Sequence, residues 1–164
     1  MNDLSYNFQS YQSEQIKIKR YVSFKLNDQN FAFEIENIVE VIPIYPITKV
    51  FHTPDFIKGV INLRGEIIAI VDLLLFFTLQ TASSETTEFS KIIITRSDDR
   101  ICGFTVDSVS QIDTLDDARK ESIPSTISRD ISDYLKGLTV KDGKPVLILN
   151  LVSILNADKI KQFE

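Results

Sequence analysis

The feature that most constrains the fold is an internal duplication. Residues 59–73 recur as residues 137–151, and each copy carries two glycines six residues apart. An apolar run follows the second glycine in both copies, and an Asp or Asn stands seven residues beyond it, followed by Leu. A repeat of this kind indicates that one supersecondary unit is used twice.

The spacing in each copy predicts a strand, a tight turn, a buried strand and the start of a helix. The turns centre on Arg64-Gly65 and Asp142-Gly143, and an Asp-Gly pair between apolar runs is a strong hairpin signal. Asp72 and Asn150 are the predicted N-caps, because their side-chain oxygens can accept hydrogen bonds from free amides in the first helical turn.

The duplication extends upstream of these hairpins. Residues 31–41 are echoed by residues 102–112, with matching apolar positions 71 residues apart, and a polar turn precedes each segment. Similar patterns can arise because β-hairpins resemble one another, but several features recur here in the same order. Many short strands with regular turn signals favour a mostly β fold. The expected architecture is two small barrels, each built from one repeat.

Other segments carry weaker signals. Residues 1–17 are polar and are expected to be a disordered tail. Residues 35–42 fit either a strand or a brief helical turn. Residues 78–90 are expected to form a polar loop, a helical turn is expected near Ser128, and residues 154–163 fit a C-terminal helix.

Composition argues against several functional classes. The chain has 164 residues, 43% of them hydrophobic and 25% charged, as in an ordinary globular domain. A net charge of −5 argues against nucleic-acid binding, which usually needs a basic face. A single cysteine, Cys102, cannot form an internal disulfide or a multi-cysteine metal site, and its strand context predicts a buried thiol. Without a signal peptide or a long apolar run, a cytoplasmic protein with no membrane insertion is expected.

Catalytic equipment is sparse. His52 lies between Phe51 and Thr53 in a predicted loop, and no spacing pairs it with Cys102 as base and nucleophile. The five glycines match no phosphate-binding loop, so no cofactor is expected. A binding module is favoured, and two alternatives stay open: a small hydrolase with an unrecognised site, and a nucleic-acid-binding barrel.

Four segments together resemble the CheW family of chemotaxis coupling proteins. The most specific is Phe-Ile-Lys-Gly-Val-Ile-Asn-Leu-Arg-Gly at residues 56–65. Residues 35–42, with Val-Glu-Val at their centre, are similar to the family's second-strand motif, and residues 103–109 are similar to its Val-Asp-x-Val element. Residues 134–138 and 146–151 together resemble its closing hairpin. The resemblance spans roughly residues 20–155.

This resemblance implies a fold of two packed five-stranded SH3-like β-barrels with short helices. The expected single domain covers residues 18–157, with a C-terminal tail at 158–164. Barrel one is expected to comprise residues 18–62 plus 144–157, and barrel two residues 63–143.

The implied function is that of a non-enzymatic adaptor in chemotaxis signal transduction. Such proteins couple methyl-accepting chemoreceptors to a CheA-type histidine kinase, whose regulatory domain shares the fold. The resemblance implies no cofactor, and we expect a monomer when the protein is alone.

Three positions match the receptor-facing set of the family: Ile38, Glu40 and Arg64. Arg64 would present its planar guanidinium at a hairpin tip, where it could pair with a partner's carboxylate or carbonyl groups. Each residue also has an interpretation without a partner. Ile38 could belong to the core, Glu40 could be an ordinary surface charge, and Arg64 could be a solvated residue of the turn. Gly59 and Gly65 are expected to secure the shape of this interface, since glycine permits positive φ and close approach.

The sequence departs from the family pattern in two places. Ala69 stands where the family usually has Pro, and residues 74–77 read Leu-Leu-Phe-Phe where a polar or basic residue is usual. This apolar run could be core or an exposed patch for a partner.

Overall fold

A computed structural model describes residues 18–79, 85–116 and 123–162. Within these ranges the chain forms ten strands, four short α-helices and one 3₁₀ turn. The strands are β1 (Ile18–Leu26), β2 (Gln29–Glu34), β3 (Ile38–Pro43), β4 (Ile57–Leu63), β5 (Glu66–Asp72), β6 (Lys91–Ser97), β7 (Arg100–Val106), β8 (Ser108–Asp116), β9 (Leu135–Lys141) and β10 (Lys144–Leu149). The helices are α1 (Leu73–Phe76), α2 (Arg129–Ser132), α3 (Leu151–Leu155) and α4 (Asp158–Lys161).

The strands form two five-stranded sheets that exchange strands between the two repeats. The first sheet has the order β8-β1-β2-β10-β9, and the second has the order β3-β6-β7-β5-β4. The first sheet therefore combines β1 and β2 of the first repeat with β8, β9 and β10 of the second repeat. The second sheet combines β6 and β7 of the second repeat with β3, β4 and β5 of the first. The mostly β, SH3-like prediction is confirmed, but the expectation that each barrel is built from one repeat is wrong.

The exchange also corrects the predicted division of residues between barrels. β3 and β4, assigned above to barrel one, belong to the second sheet, and β8 and β9, assigned to barrel two, belong to the first. The reason lies after β2, where the 3₁₀ turn Ile35–Asn37 redirects the chain so that β3 pairs with β6. Residues 35–42 thus contain both alternatives, a helical turn followed by a strand. The predicted tail at residues 1–17 lies outside the described residues.

Two-residue turns fix the register of the hairpins. Arg64 and Gly65 have φ values of 53° and 87°, and Asp142 and Gly143 have values of 51° and 75°, as type I′ turns require. Both predicted turns are confirmed. The turn between β1 and β2, at Asn27 and Asp28, also has positive φ at both residues.

The main core lies between the two sheets and is rich in phenylalanine. Phe33 of the first sheet meets Phe104 of the second with ring centroids 5.4 Å apart, and both side chains are fully buried. Phe31 stacks on Phe77, which follows α1. Burial of each such side chain contributes about 1.5–3 kcal/mol, so this layer ties the sheets together.

The apolar run at residues 74–77 belongs to this core. Leu74, Phe76 and Phe77 are at most 2% exposed, which settles the alternative between core and exposed patch. Lys159 of α4 places its ammonium group 3.7 Å from the centroid of the Phe76 ring, a cation–π contact that holds the C-terminal helix against the core.

Smaller expectations have mixed outcomes. The helical turn expected near Ser128 is α2, which begins after that residue, and Cys102 is buried as predicted. The C-terminal helix is two short helices, α3 and α4, separated at Asn156 and Ala157. In the described part of the chain, no helix is both long and apolar enough to cross a membrane.

Asp72 and Asn150 cap equivalent helices, as predicted. Asp72 accepts a hydrogen bond from the amide of Leu75, and Asn150 accepts one from the amide of Ser153. Asp72 is 4% exposed, and desolvation raises the pKa of its carboxyl group despite the opposing amide hydrogen bonds. Asp72 therefore binds a proton more readily in the folded than in the unfolded state. The stability that this protonation contributes is present at low pH and is lost as pH rises through the raised pKa of Asp72.

We expect Asp72→Asn to keep the cap without this charge penalty, as Asn150 already does in the second repeat. Its free energy of unfolding at pH 7 should equal or exceed that of the original chain. Asp72→Ala removes the cap and should lose about 1 kcal/mol. Urea unfolding measures both, and an Asn variant as unstable as the Ala variant would contradict this account.

Candidate partner-binding surface

The hairpin between β4 and β5 places Arg64 at an exposed tip. Gly65 donates its amide hydrogen to the Asn62 side-chain oxygen at 2.9 Å, which stabilises the turn. The Arg64 side chain is 72% exposed. The type I′ geometry therefore projects the guanidinium into solvent.

Glu40 on β3 holds this guanidinium through two hydrogen bonds. Arg64 Nη1 donates to Glu40 Oε1 at 2.5 Å, and Nη2 donates to Oε2 at 3.1 Å. β3 and β4 are opposite edges of the second sheet, so this bidentate pair joins the two edges of the SH3-like unit. The structure thus brings two of the three predicted receptor-facing residues into direct contact.

The pair remains charged at neutral pH. The hydrogen bond from Arg64 lowers the pKa of Glu40 and outweighs the opposing effect of desolvation, and the same bond raises the pKa of Arg64. Both groups therefore stay ionised over the physiological range, and the interaction is lost only when pH falls through the lowered pKa of Glu40.

Ile38, the third predicted residue, lies at the start of the same strand but faces differently. Its side chain is partly buried and packs against the core between the sheets. The ladder between β3 and β6 shifts register between Ile38 and Glu40, which marks a β-bulge at Val39. Ile38 therefore supports the strand from beneath and has only part of its surface available to a partner.

The exposed apolar residues near Glu40 are its neighbours Val39 and Val41, which are 47% and 38% exposed. Ile67, on the hairpin that carries Arg64, is 61% exposed. Sequence reasoning missed these three. The alternation of Val39, Glu40 and Val41 was visible in the sequence, but the edge position of β3, which leaves the two valines exposed, comes from the strand order.

Gly59 shapes the strand that leads to Arg64. It has φ of +142°, and a Cβ atom there would overlap the Thr48 carbonyl and lie 2.9 Å from Ile47 Cγ2. This close approach permits Thr48 and Val60 to exchange backbone hydrogen bonds of 2.8 and 2.9 Å. Gly65 has φ of +87° and open space around it, so its role is confined to the turn.

The residues considered for catalysis do not meet. His52 is exposed in the loop between β3 and β4, whereas Cys102 is 5% exposed in β7 and donates to the Ala69 carbonyl at 3.6 Å. Neither residue lines the pocket near Asp72 or the one near Asp113. Across the described ranges, no group of three or more His, Cys, Asp or Glu side chains is arranged to hold a metal ion.

Comparison with known proteins agrees with this architecture. The model of the CheW-like domain matches residues 20–159. The chain belongs to the CheW-like family. The matched residues include both sheets and the Glu40–Arg64 pair. As a member of this family, the chain is an adaptor or scaffold of the chemotaxis type.

Individual CheW relatives match over nearly their full lengths. The chain is 29% identical to the chemotaxis protein CheW of Thermotoga maritima over 150 residues, covering 92% of this chain and 96% of that protein. It is 27% identical to CheW of Helicobacter pylori, covering 91% and 88%. The crystal structure of the scaffolding protein TtCheW from Thermoanaerobacter tengcongensis superposes with a TM-score of 0.74 at 29% identity, covering 87% and 95%.

Gly59→Ala should destabilise this CheW-like domain far more than Gly65→Ala. The first combines unfavourable φ with overlap against Thr48 and should cost roughly 3 kcal/mol, whereas the second costs only backbone strain, about 1 kcal/mol. Equal losses in urea unfolding would show that the approach of Thr48 does not constrain Gly59.

The first sheet also has an ion pair between its two edge strands, at different positions and with a buried carboxylate. Asp113 on β8 is 4% exposed and binds Lys141 at the end of β9, so this contact also joins two sheet edges. Desolvation raises the pKa of Asp113, but hydrogen bonds from Lys141, Ser23 and Gln111 outweigh it, and the pKa lies below its ordinary value.

We expect Asp113→Asn to lower the free energy of unfolding at pH 7 by about 1–3 kcal/mol, because it disrupts a buried network. Glu40→Gln should change it little, since exposed ion pairs contribute little. The difference between Asp113→Asn and the original chain should shrink as pH falls through the lowered Asp113 pKa. Urea unfolding between pH 7 and pH 3 tests this, and equal effects of the two variants would contradict it.

Proposed function

We propose that this protein couples methyl-accepting chemoreceptors to a CheA-type histidine kinase, acting in the cytoplasm as a scaffold without catalysis. The observation that carries the proposal is the exposed Arg64 guanidinium, held in place by Glu40 within a CheW-like domain. Membership of the family supports adaptor function, and the site geometry supports Arg64 as the receptor contact.

The held arginine is suited to binding a protein surface. A guanidinium carries five N–H donors, and Glu40 engages two of them, so the remaining donors can bind a partner's carboxylate or carbonyl oxygens. Glu40 also restricts the side chain before binding, which reduces the entropy lost when a partner docks.

Exposed apolar residues lie on the same strand as Glu40. Val39 and Val41 flank Glu40 along β3 and are both partly exposed. Exposure alternates along β3, which places the two valines on the outer face of the strand and Glu40 on the face that meets Arg64. We propose that Val39 and Val41 supplement Ile38 as the apolar part of the receptor-binding surface.

The proposed mechanism is geometric. The two sheets share one phenylalanine core, so a receptor bound at Arg64 and a kinase regulatory domain bound elsewhere on the barrels would be held in a fixed relation. The family resemblance points to barrel-to-barrel contact with the kinase, and a net charge of −5 offers no general attraction for nucleic acid. The protein alone would be a monomer.

Arg64→Glu should weaken receptor binding about thirtyfold while preserving the fold, because a docked arginine of this kind is a central contact. Titration with a purified receptor signalling fragment measures the affinity, and far-ultraviolet circular dichroism checks the fold. Arg96→Glu is the matched control, since Arg96 is also exposed and lies 3.4 Å from Glu66.

A charge swap separates receptor contact from internal repulsion. In the double variant Glu40→Arg with Arg64→Glu, the two edges can again pair, so stability should recover while receptor affinity stays low. Full recovery of receptor affinity in the double variant, or unchanged affinity in Arg64→Glu alone, would reject Arg64 as a direct contact.

A further inference from the structure

The two barrels have very different interiors although their strands are equivalent. In the second barrel, eight strand positions contribute apolar side chains to the interior cluster, six of them buried and two, Leu63 and Ile101, partly buried. These positions are Ile42, Ile61, Leu63, Ile68, Ile70, Ile92, Ile94 and Ile101. The pairing registers of the two sheets match residue by residue, so each of these positions has a defined counterpart in the first barrel.

Five of the eight counterparts are polar. The positions of Ile94, Ile101, Ile42, Ile61 and Leu63 are occupied in the first barrel by Ser23, Asn30, Asp113, Thr139 and Lys141. The other three counterparts, Tyr21, Val146 and Ile148, form a small apolar cluster with Ala32. Because the second barrel folds around isoleucine at the same positions, the fold itself does not require this polarity.

The inner polar groups satisfy one another. Ser23 Oγ donates to Asp113 Oδ2 at 2.6 Å, Gln111 Nε2 donates to Oδ1 at 3.0 Å, and Lys141 Nζ donates to Oδ1 as well. The Asp113 carboxylate therefore stays ionised, is paired with the Lys141 ammonium group and accepts hydrogen bonds from three side chains.

Part of this network lines a pocket of about 200 Å³ at the open end of the first barrel. Its lining combines Lys25, Asn30, Ser110, Lys141 and Lys144 with Ser23, Val146 and the carboxylates of Asp113 and Asp142. Three ammonium groups thus face two carboxylates, one of which is already bound by Lys141. The pocket is smaller than a typical site for a drug-sized ligand and would suit a single small group.

The decisive contrast lies at the mouth of the two barrels. In the second barrel, Arg96 and Glu66 form an ion pair at 3.4 Å. The equivalent positions in the first barrel are Lys25 and Lys144, so two cations replace a cation and an anion. Among the described residues, no carboxylate forms an ion pair with either lysine.

We propose that the mouth of the first barrel binds a small oxyanion, a phosphate or carboxylate group, between Lys25 and Lys144. The anion supplies the negative charge that Glu66 provides in the second barrel. The Ser110 hydroxyl and the Asn30 amide offer further hydrogen bonds, while Asp142 at the exposed turn limits the site to one anionic group. This site is separate from the receptor-binding surface, and its test does not depend on the proposed function.

The test compares Lys144→Glu with Lys49→Glu. The first recreates the pairing of the second barrel, whereas the second makes the same charge change at an exposed lysine outside the pocket. Inorganic phosphate and acetate are titrated separately at constant ionic strength, and two-dimensional amide NMR and thermal unfolding are the readouts.

For the original chain and for Lys49→Glu, we expect the amide chemical shifts of residues 25, 30, 110 and 144 to change saturably as phosphate is added. The melting temperature of both proteins should be higher in phosphate than without it. In the absence of phosphate, Lys144→Glu should have a higher melting temperature than the original chain. Added phosphate should then change neither its amide shifts nor its melting temperature. Lys25→Gln should weaken binding about tenfold, as loss of one charged hydrogen bond predicts.

Each outcome decides the proposal. Saturation by phosphate alone identifies a phosphate site, and saturation by acetate as well identifies a general carboxylate or phosphate site. The proposal is overturned if neither ion gives saturable shifts up to about 10 mM, a limit that already corresponds to very weak binding. An equal loss of response in Lys49→Glu would also overturn it, because the effect would then be one of net charge.

Discussion

The exchange of strands between the two repeats is the constraint on which the rest of the structure depends. β2 pairs in parallel with β10, and β5 pairs in parallel with β7, so each sheet is completed by strands from the other half of the chain. Neither sheet can form from one repeat alone. The buried phenylalanine layer between the sheets reinforces this coupling, since Phe33 and Phe104 lose their contact if either sheet opens.

An ion pair joins the edge strands of each sheet, but the two pairs differ in environment. Glu40–Arg64 joins the edges of the second barrel in solvent, where the pair adds little to stability and leaves the guanidinium available to a partner. Asp113–Lys141 joins the edges of the first barrel within a buried polar network. The two repeats thus present unlike surfaces, one with an exposed arginine and one with a buried polar network, which are the basis of the two proposed binding sites.

The sequence allowed much of the local structure to be predicted, because local structure depends on local chemistry. Positive-φ residues at Arg64-Gly65 and Asp142-Gly143 specify tight turns, and Asp72 and Asn150 cap the helices that follow. Strand exchange was not predictable in this way. Alternation of apolar residues tells which face of a strand is buried, but not which strand lies beside it.

The candidate site was only partly predictable for a related reason. The family resemblance identified Glu40 and Arg64 as candidate site residues. Their contact could not be predicted, because they are 24 residues apart in the sequence and belong to opposite edges of the sheet. Lys25 and Lys144 resembled ordinary surface lysines. The contrast with Arg96 and Glu66 emerges when the two repeats are placed in register, a comparison that the duplication makes possible but that needs the strand pairing.

Native-state hydrogen exchange measures most directly whether the exchanged strands make the chain one cooperative unit. The most protected amides of β2 in the first sheet and β7 in the second should open with the same free energy and the same dependence on urea, because neither sheet survives loss of the other. Two distinct opening free energies, with one sheet exchanging while the other stays protected, would contradict a single rigid scaffold.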